Sequence, residues 1–282
     1  MGFLLLFVVV LAITATALIA KLASRNNITA LDLSTSLFGA SAVLGAVILC
    51  GQLPVKLTGH AILVASIAGV GGSFAVLAFN SAVRAGHFGF SNAIYRSSFL
   101  VPVIYAVLFL HAPLNVPRLG GIALILAGIF LMSSYTASGV LAKQARLRWV
   151  GLILLAFLLS GAPRVGQILA NVHNENNFLY LFLSYFIGAA VLLAITWKKG
   201  SFNPMALTWG TGAAVASYVG VFCTLKALTL LSPHVVFPIS LSGPILLGIL
   251  LSLGVFREKI SRLGWAGVVF SISGILVLAI WK

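Results

Sequence analysis

Two arginines occur inside long apolar segments, where a positive charge is costly. Arg96 lies in NAIYRSSFLVP (92–102), and Arg164 lies in GAPRVG (161–166). Charged side chains within membrane spans usually face a cavity and mark the path of a solute. A guanidinium group offers a planar fork of N–H donors that fits a carboxylate or a phosphate. The two arginines are therefore predicted to bind a polar or anionic solute.

Further polar side chains lie near these arginines or inside neighbouring apolar segments. Gln167 follows Arg164 by three residues, which places both on one face of a helix. Snorkelling to the nearer membrane surface is an alternative role for Arg96 and for the lysine of this set. Besides the two arginines, the predicted substrate-binding residues are Asn80, Asn92, Tyr95, Gln167, Tyr218 and Lys226.

The chain has only three acidic residues, and none lies near the middle of an apolar segment. Asp32 begins one segment, and Glu175 and Glu258 lie in connections. A carboxylate at the membrane centre would attract a cationic drug and exchange it for protons, and this chain offers none. A drug exporter of that kind is therefore disfavoured, although a proton-coupled exporter of drugs or toxic metabolites stays an alternative.

Residues for covalent or metal chemistry are sparse. Cys50 and Cys223 lie in separate apolar segments, so they predict neither a disulfide framework nor a metal site. GFSNA (89–93) contains a Gly-X-Ser fragment, but no histidine lies at the depth that a dyad would need. We expect no catalytic residue, no metal and no cofactor. An intramembrane enzyme and a channel stay as weaker alternatives.

The composition assigns these residues to a membrane-embedded helix bundle. The chain is 61% hydrophobic and 7% charged, whereas soluble domains carry about 25% charged residues. Apolar runs of about 20 residues, the length of a spanning helix, recur throughout. The fold prediction is an all-α integral membrane protein of ten transmembrane helices, at approximately 3–22, 31–50, 60–82, 91–110, 118–135, 149–170, 178–197, 207–231, 233–253 and 263–281.

The two halves of the chain resemble each other. Residues 97–132 align with 240–278, and glycines seven residues apart recur in both, at Gly121 and Gly128 and at Gly267 and Gly274. Five spans in each half would give the halves opposite orientations, an inverted repeat that suits alternating access. The predicted organisation is a first five-helix repeat (1–135), an inter-repeat loop (136–148) and a second five-helix repeat (149–282).

These patterns resemble the EamA-type branch of the drug/metabolite transporter (DMT) superfamily. The likeness rests on the glycine pattern in both halves and on SPHVVFPISLSGPILLGILLSLGVFREKISRLGWAGVVFSISGIL (232–276), in which Ser232-Pro233, Pro244 and Glu258 match family positions. The resemblance implies ten helices in a 5+5 inverted repeat around a central cavity. The chain departs from the family pattern at His111-Ala112, where many relatives have Gly-Glu, and at Phe99, the first-half counterpart of Pro244.

The resulting functional prediction is a secondary transporter of the cell (inner) membrane. It would move a small polar or anionic metabolite, such as an amino acid or a related organic compound, by alternating access. The expected partners are a small-molecule solute and membrane lipid, but not nucleic acid, because the basic residues are dispersed among loops. A monomer or a homodimer is expected. The positive-inside rule favours termini outside the cell, whereas the resemblance implies termini in the cytoplasm.

Overall fold

The computed structural model describes residues 2–109, 116–135, 143–173, 175–231 and 233–280. Within those ranges the chain forms α-helices and contains no β-strand, which confirms the all-α prediction. The helices are α1 (Gly2–Arg25), α2 (Ala30–Cys50), α3 (Gly59–Ala85), α4 (Phe88–Arg96), α5 (Leu100–Phe109), α6 (Val116–Tyr135), α7 (Lys143–Leu159), α8 (Gly161–Val172), α9 (Asn177–Lys199), α10 (Met205–Leu230), α11 (Pro233–Gly254) and α12 (Arg262–Ile280).

Prolines explain why two of the ten predicted spans are each broken into two helices. The fourth span consists of α4, a 3-10 turn at Ser97–Phe99, and α5. Proline has no N–H for the carbonyl four residues earlier; Pro102 therefore leaves the Ser98 carbonyl without that donor. The sixth span consists of α7 and α8, and α7 ends at Leu159, four residues before Pro163.

Length and polarity identify an integral membrane protein. Among the described residues, six apolar helical segments are long enough to cross a membrane: Gly2–Arg25, Ala30–Cys50, Gly59–Ala85, Gln144–Gly166, Phe178–Lys199 and Met205–Thr224. Shorter apolar helical segments lie at Leu119–Met132, Ser242–Gly254 and Arg262–Val277. Large apolar side chains such as Phe3, Val47 and Phe130 are 65 to 70% exposed, as expected where a helix faces lipid rather than water.

The span boundaries differ from the predicted ones mainly at the middle of the chain. The predicted inter-repeat loop ends at residue 148, but α7 begins at Lys143. Trp149 is fully buried near the start of this helix, and its indole N–H donates to Ser91 Oγ at 2.8 Å. This contact ties α7 to α4. Residues 136–142 of the predicted loop lie outside the described residues.

The glycines found in the repeat alignment form a close helix–helix interface. A Cβ at Gly128 would lie 2.7 Å from the Gly267 carbonyl oxygen, and one at Gly274 would lie 2.6 Å from the Gly121 carbonyl oxygen. Small residues let helix backbones approach closely in lipid. The paired glycines of the two halves therefore pack α6 against α12.

Helices of the first half pack mainly against helices of the second half. Numbering the spans 1 to 10, with α4–α5 as span 4 and α7–α8 as span 6, span 1 contacts 8 and span 3 contacts 6. Span 3 likewise contacts 7, and span 2 contacts 8; span 1 contacts 9, and span 4 contacts 6. These six contacts form three related pairs. In each pair, adding five to or subtracting five from both span numbers converts one contact into the other. Spans 2 and 7, 4 and 9, and 5 and 10 contact each other directly.

Candidate functional site

Arg96 ends α4 where the span is broken. Its Nη2 donates to the Ile13 carbonyl oxygen of α1 at 3.2 Å, and its guanidinium lies 5.5 Å from the centre of the Tyr95 ring. The Nε group is buried and has no hydrogen-bond acceptor among the described residues. Arg96 is therefore held between α1 and Tyr95 with one donor still unused.

Arg164 lies in the first turn of α8, in the second half of the chain. Tyr180 of α9 positions this turn, because its hydroxyl donates to the Pro163 carbonyl oxygen at 2.6 Å. The Nη1 group of Arg164 is buried and also lacks an acceptor among the described residues. Arg164 interacts electrostatically with Arg96, and Tyr95 interacts with both. Two cations from opposite halves thus face the same region.

Neither guanidinium has an acidic partner in the described part of the chain. The ion pairs among the described residues involve the carboxylates of Asp32, Glu175 and Glu258, and none of them includes Arg96 or Arg164. An unpaired buried charge is unfavourable, and the remaining donors suit an anion that enters from outside the protein.

Tyrosines extend the site toward α9 and α10. Tyr95 stacks on Phe79, with ring centres 4.5 Å apart, and it interacts electrostatically with Tyr185. The Tyr185 ring lies 5.6 Å from that of Tyr218, and the Tyr185 hydroxyl lies 3.4 Å from Ser217 Oγ. The Tyr218 hydroxyl is buried and has no partner among the described residues. The structure thus brings predicted Tyr218 near Tyr185, which the sequence analysis did not select.

The two predicted asparagines hold helices together. Asn80 is buried and donates from Nδ2 to Ser34 Oγ at 2.9 Å, which joins α3 to α2. Asn92 is fully buried and donates from Nδ2 to the Pro244 carbonyl oxygen at 2.7 Å. Gly248 provides the space for Asn92, because a Cβ there would clash with the amide. Only Asn92 Oδ1 lacks a partner among the described residues.

Two predicted residues remain, Lys226 and Gln167. Lys226 is exposed on α10, and its Nζ lies 6.0 Å from the Phe222 ring centre. The side chain of Gln167 lies outside what the structure describes. The arginine–tyrosine site is defined below as Tyr95, Arg96, Arg164, Tyr185 and Tyr218.

Glu258, in the loop before α12, joins the two halves at one end of the bundle. Its carboxylate accepts the Phe88 N–H at 2.9 and 3.0 Å and the Ser252 hydroxyl. It also lies 3.0 Å from His87 Nδ1 and 3.5 Å from Lys21 Nζ. Burial alone would raise the pKa of Glu258, but the contacts with His87, Ser252 and Phe88 outweigh burial and lower that pKa to about 2.

The other two acidic residues also join the halves. At the opposite end, Glu175 accepts the Thr58 hydroxyl and lies 3.6 Å from His60 Nδ1. At the Glu258 end, Asp32 at the start of α2 lies 3.5 Å from Lys199 Nζ at the end of α9. All three acids in the sequence therefore contact the opposite half, a role that their positions in loops and helix ends did not reveal.

Comparison with known proteins finds a family match for the second half of the chain. Residues 147–280 match the model of the EamA-like transporter family. An uncharacterised protein of Haemophilus influenzae (strain Rd) is 25% identical over 193 residues, which are 67% of this chain and 65% of the relative. The chain thus matches less than two thirds of that relative's length.

A crystal structure shows the same fold over nearly the whole chain. The two superpose with a TM-score of 0.61 at 14% sequence identity, over 98% of this chain and 95% of the other. This likeness concerns the fold alone. The match of residues 147–280 to the EamA-like transporter family agrees with the resemblance of the sequence motifs in that half.

Proposed function

We propose that this protein is a secondary transporter that carries a small polar or anionic metabolite through the arginine–tyrosine site. The observation that supports this most directly is the pair of buried guanidinium donors, Arg96 Nε and Arg164 Nη1, without acceptors among the described residues. A carboxylate or phosphate would supply those acceptors. The tyrosine hydroxyls would bind neutral polar groups of the same solute.

The position of the site supports alternating access. Arg96 and Tyr95 belong to the first half, whereas Arg164, Tyr185 and Tyr218 belong to the second. Each main contact between a span of the first half and a span of the second half has an equivalent contact five spans along the chain. A 5+5 inverted repeat is expected to show this relation. In such transporters one half rocks against the other around a site at their interface.

The acidic contacts between the halves support a gating role at both ends. Opening the site to one side requires contacts at that end to separate while those at the other end stay closed. Glu258 with His87 and Lys21 lies at one end, and Glu175 with Thr58 and His60 lies at the other. Each set joins the first half to the second, so each is suited to close one side of the site.

Uptake into proteoliposomes tests the proposal. A panel of radiolabelled amino acids, carboxylates and phosphorylated metabolites should include a solute with saturable uptake and trans-stimulation, which distinguish a carrier from a channel. Arg96→Ala and Arg164→Ala should each abolish that uptake while the protein elutes and melts as a folded species. Arg148→Ala, an exposed arginine on α7, is the matched control and should transport normally. Full uptake by both site variants would overturn the proposal.

A further inference from the structure

A second, separate recess lies on the flank of the bundle between α2, α9 and α10. Its volume is about 1,210 Å³. No residue of the arginine–tyrosine site lines it, so the recess is separate from that site. Its lining residues include Thr35, Ser36, Gly39, Val43, Leu44 and Thr196.

The recess is polar at one end and apolar at the other. At the polar end, the hydroxyls of Thr35 and Thr196 are 2.9 Å apart, and Ser36 lies beside them. Toward the membrane interior the lining changes to Gly39, Val43 and Leu44. At 1.5 Å per helical residue, Thr35 to Leu44 spans roughly 14 Å. That is about half of a hydrocarbon core roughly 30 Å thick, so the recess extends through about one leaflet.

Basic and aromatic side chains lie at the polar end. Lys198 and Lys199 form the last turn of α9, and Trp197, which lines the recess, is 89% exposed. Tryptophan is typical of the membrane–water interface. Asp32 pairs with Lys199, and Lys198 is exposed and forms no ion pair with any described residue. The two lysines beside the recess therefore have one carboxylate partner, Asp32, between them, which leaves one positive charge in excess.

We propose that the recess binds one phospholipid with an anionic headgroup, from the leaflet at the Glu258 end. The acyl chains would lie against Gly39, Val43 and Leu44, and the phosphate would lie beside Lys198 and the exposed part of Lys199. The basic residues near this end, Lys21, Arg25, Lys198 and Lys199 among them, indicate the cytoplasmic side, where anionic lipids are abundant. Because α2 belongs to one half and α9 and α10 to the other, the lipid would contact both.

Two glycines make a matched test of the acyl-chain site. Gly39 lines the recess, and a Cβ there would meet no atom of the described residues within 4 Å. Gly39→Leu therefore fills the recess without a clash. Gly151 on α7 is exposed, lies outside the recess and is equally open. Gly151→Leu thus makes the same change on another lipid-facing surface.

Native mass spectrometry can count retained lipid after exchange into equimolar phosphatidylglycerol and phosphatidylcholine with the same acyl chains. We expect wild-type protein and Gly151→Leu to retain one phosphatidylglycerol in preference to phosphatidylcholine, and Gly39→Leu to lose it. Lys198→Ala should reduce the preference about five-fold, the effect of one lysine near an anionic surface. Equal retention of the two lipids by wild-type protein would overturn the proposal, as would unchanged phosphatidylglycerol retention by Gly39→Leu.

Discussion

Replacing Glu258 with glutamine should destabilise the folded protein, because this carboxylate joins two helices of the first half, α1 and α4, to the loop before α12. It contacts the backbone N–H at the start of α4, the imidazole of His87 and the ammonium group of Lys21 at the end of α1. Glutamine keeps the size of the side chain but removes the charge. Its amide nitrogen is itself a hydrogen-bond donor, and it would face the N–H and ammonium donors that now contact the carboxylate.

The pKa of Glu258 gives the size of the expected loss of stability. The folded structure lowers it from 4.5 to about 2, and each pKa unit corresponds to about 1.36 kcal/mol. The charged form is thus favoured by roughly 3 kcal/mol in the folded state. Because the folded pKa is the lower one, this stability is fully present above about pH 5, and it is lost as the pH falls toward 2.

Thermal unfolding in detergent measures this effect. At pH 7 Glu258→Gln should lower the melting temperature by several degrees, at about 2 to 4 °C per kcal/mol. Arg262→Gln, a change of an exposed charge at the start of α12, should leave the melting temperature unchanged. A melting temperature for Glu258→Gln within 1 °C of wild type at pH 7 would refute the reasoning.

Two further predictions concern packing and gating. Gly128→Leu should prevent close approach of α6 and α12 and lower the melting temperature strongly, whereas Gly120→Leu, which enters open space, should not; equal melting of the two would contradict the glycine interface. In a Tyr95→Cys background, Glu258→Gln should increase labelling by a membrane-impermeant maleimide from the Glu258 end, and Glu175→Gln should increase it from the opposite end. Labelling that rises from the same side in both variants would contradict the gating role.

The sequence predicted the order of the apolar helices, because apolar length alone decides whether a helix can cross lipid. It also selected Arg96 and Arg164, since a charge in an apolar run needs a special environment. It did not predict the breaks in the fourth and sixth spans, although Pro102 and Pro163 mark both. Proline is tolerated in many membrane helices, because neighbouring groups satisfy the freed carbonyl.

Asn80 and Asn92 show the limit of reasoning from residue type. A polar side chain in a span can bind a solute or can donate to a neighbouring helix, and the sequence does not say which helix is adjacent. In the structure Asn80 donates to Ser34 and Asn92 to the Pro244 carbonyl oxygen. Their amide N–H groups therefore serve helix packing.

By itself, the sequence determined the medium, the helical fold and the family resemblance of the second half, because composition, span length and the motifs around Pro244 and Glu258 are local properties. Only the tertiary structure decided which groups meet. The three acids are 32, 175 and 258 residues along the chain, yet each contacts the opposite half. Such contacts depend on the order in which helices pack, and packing in lipid is specified by complementary surfaces of distant segments rather than by any one segment.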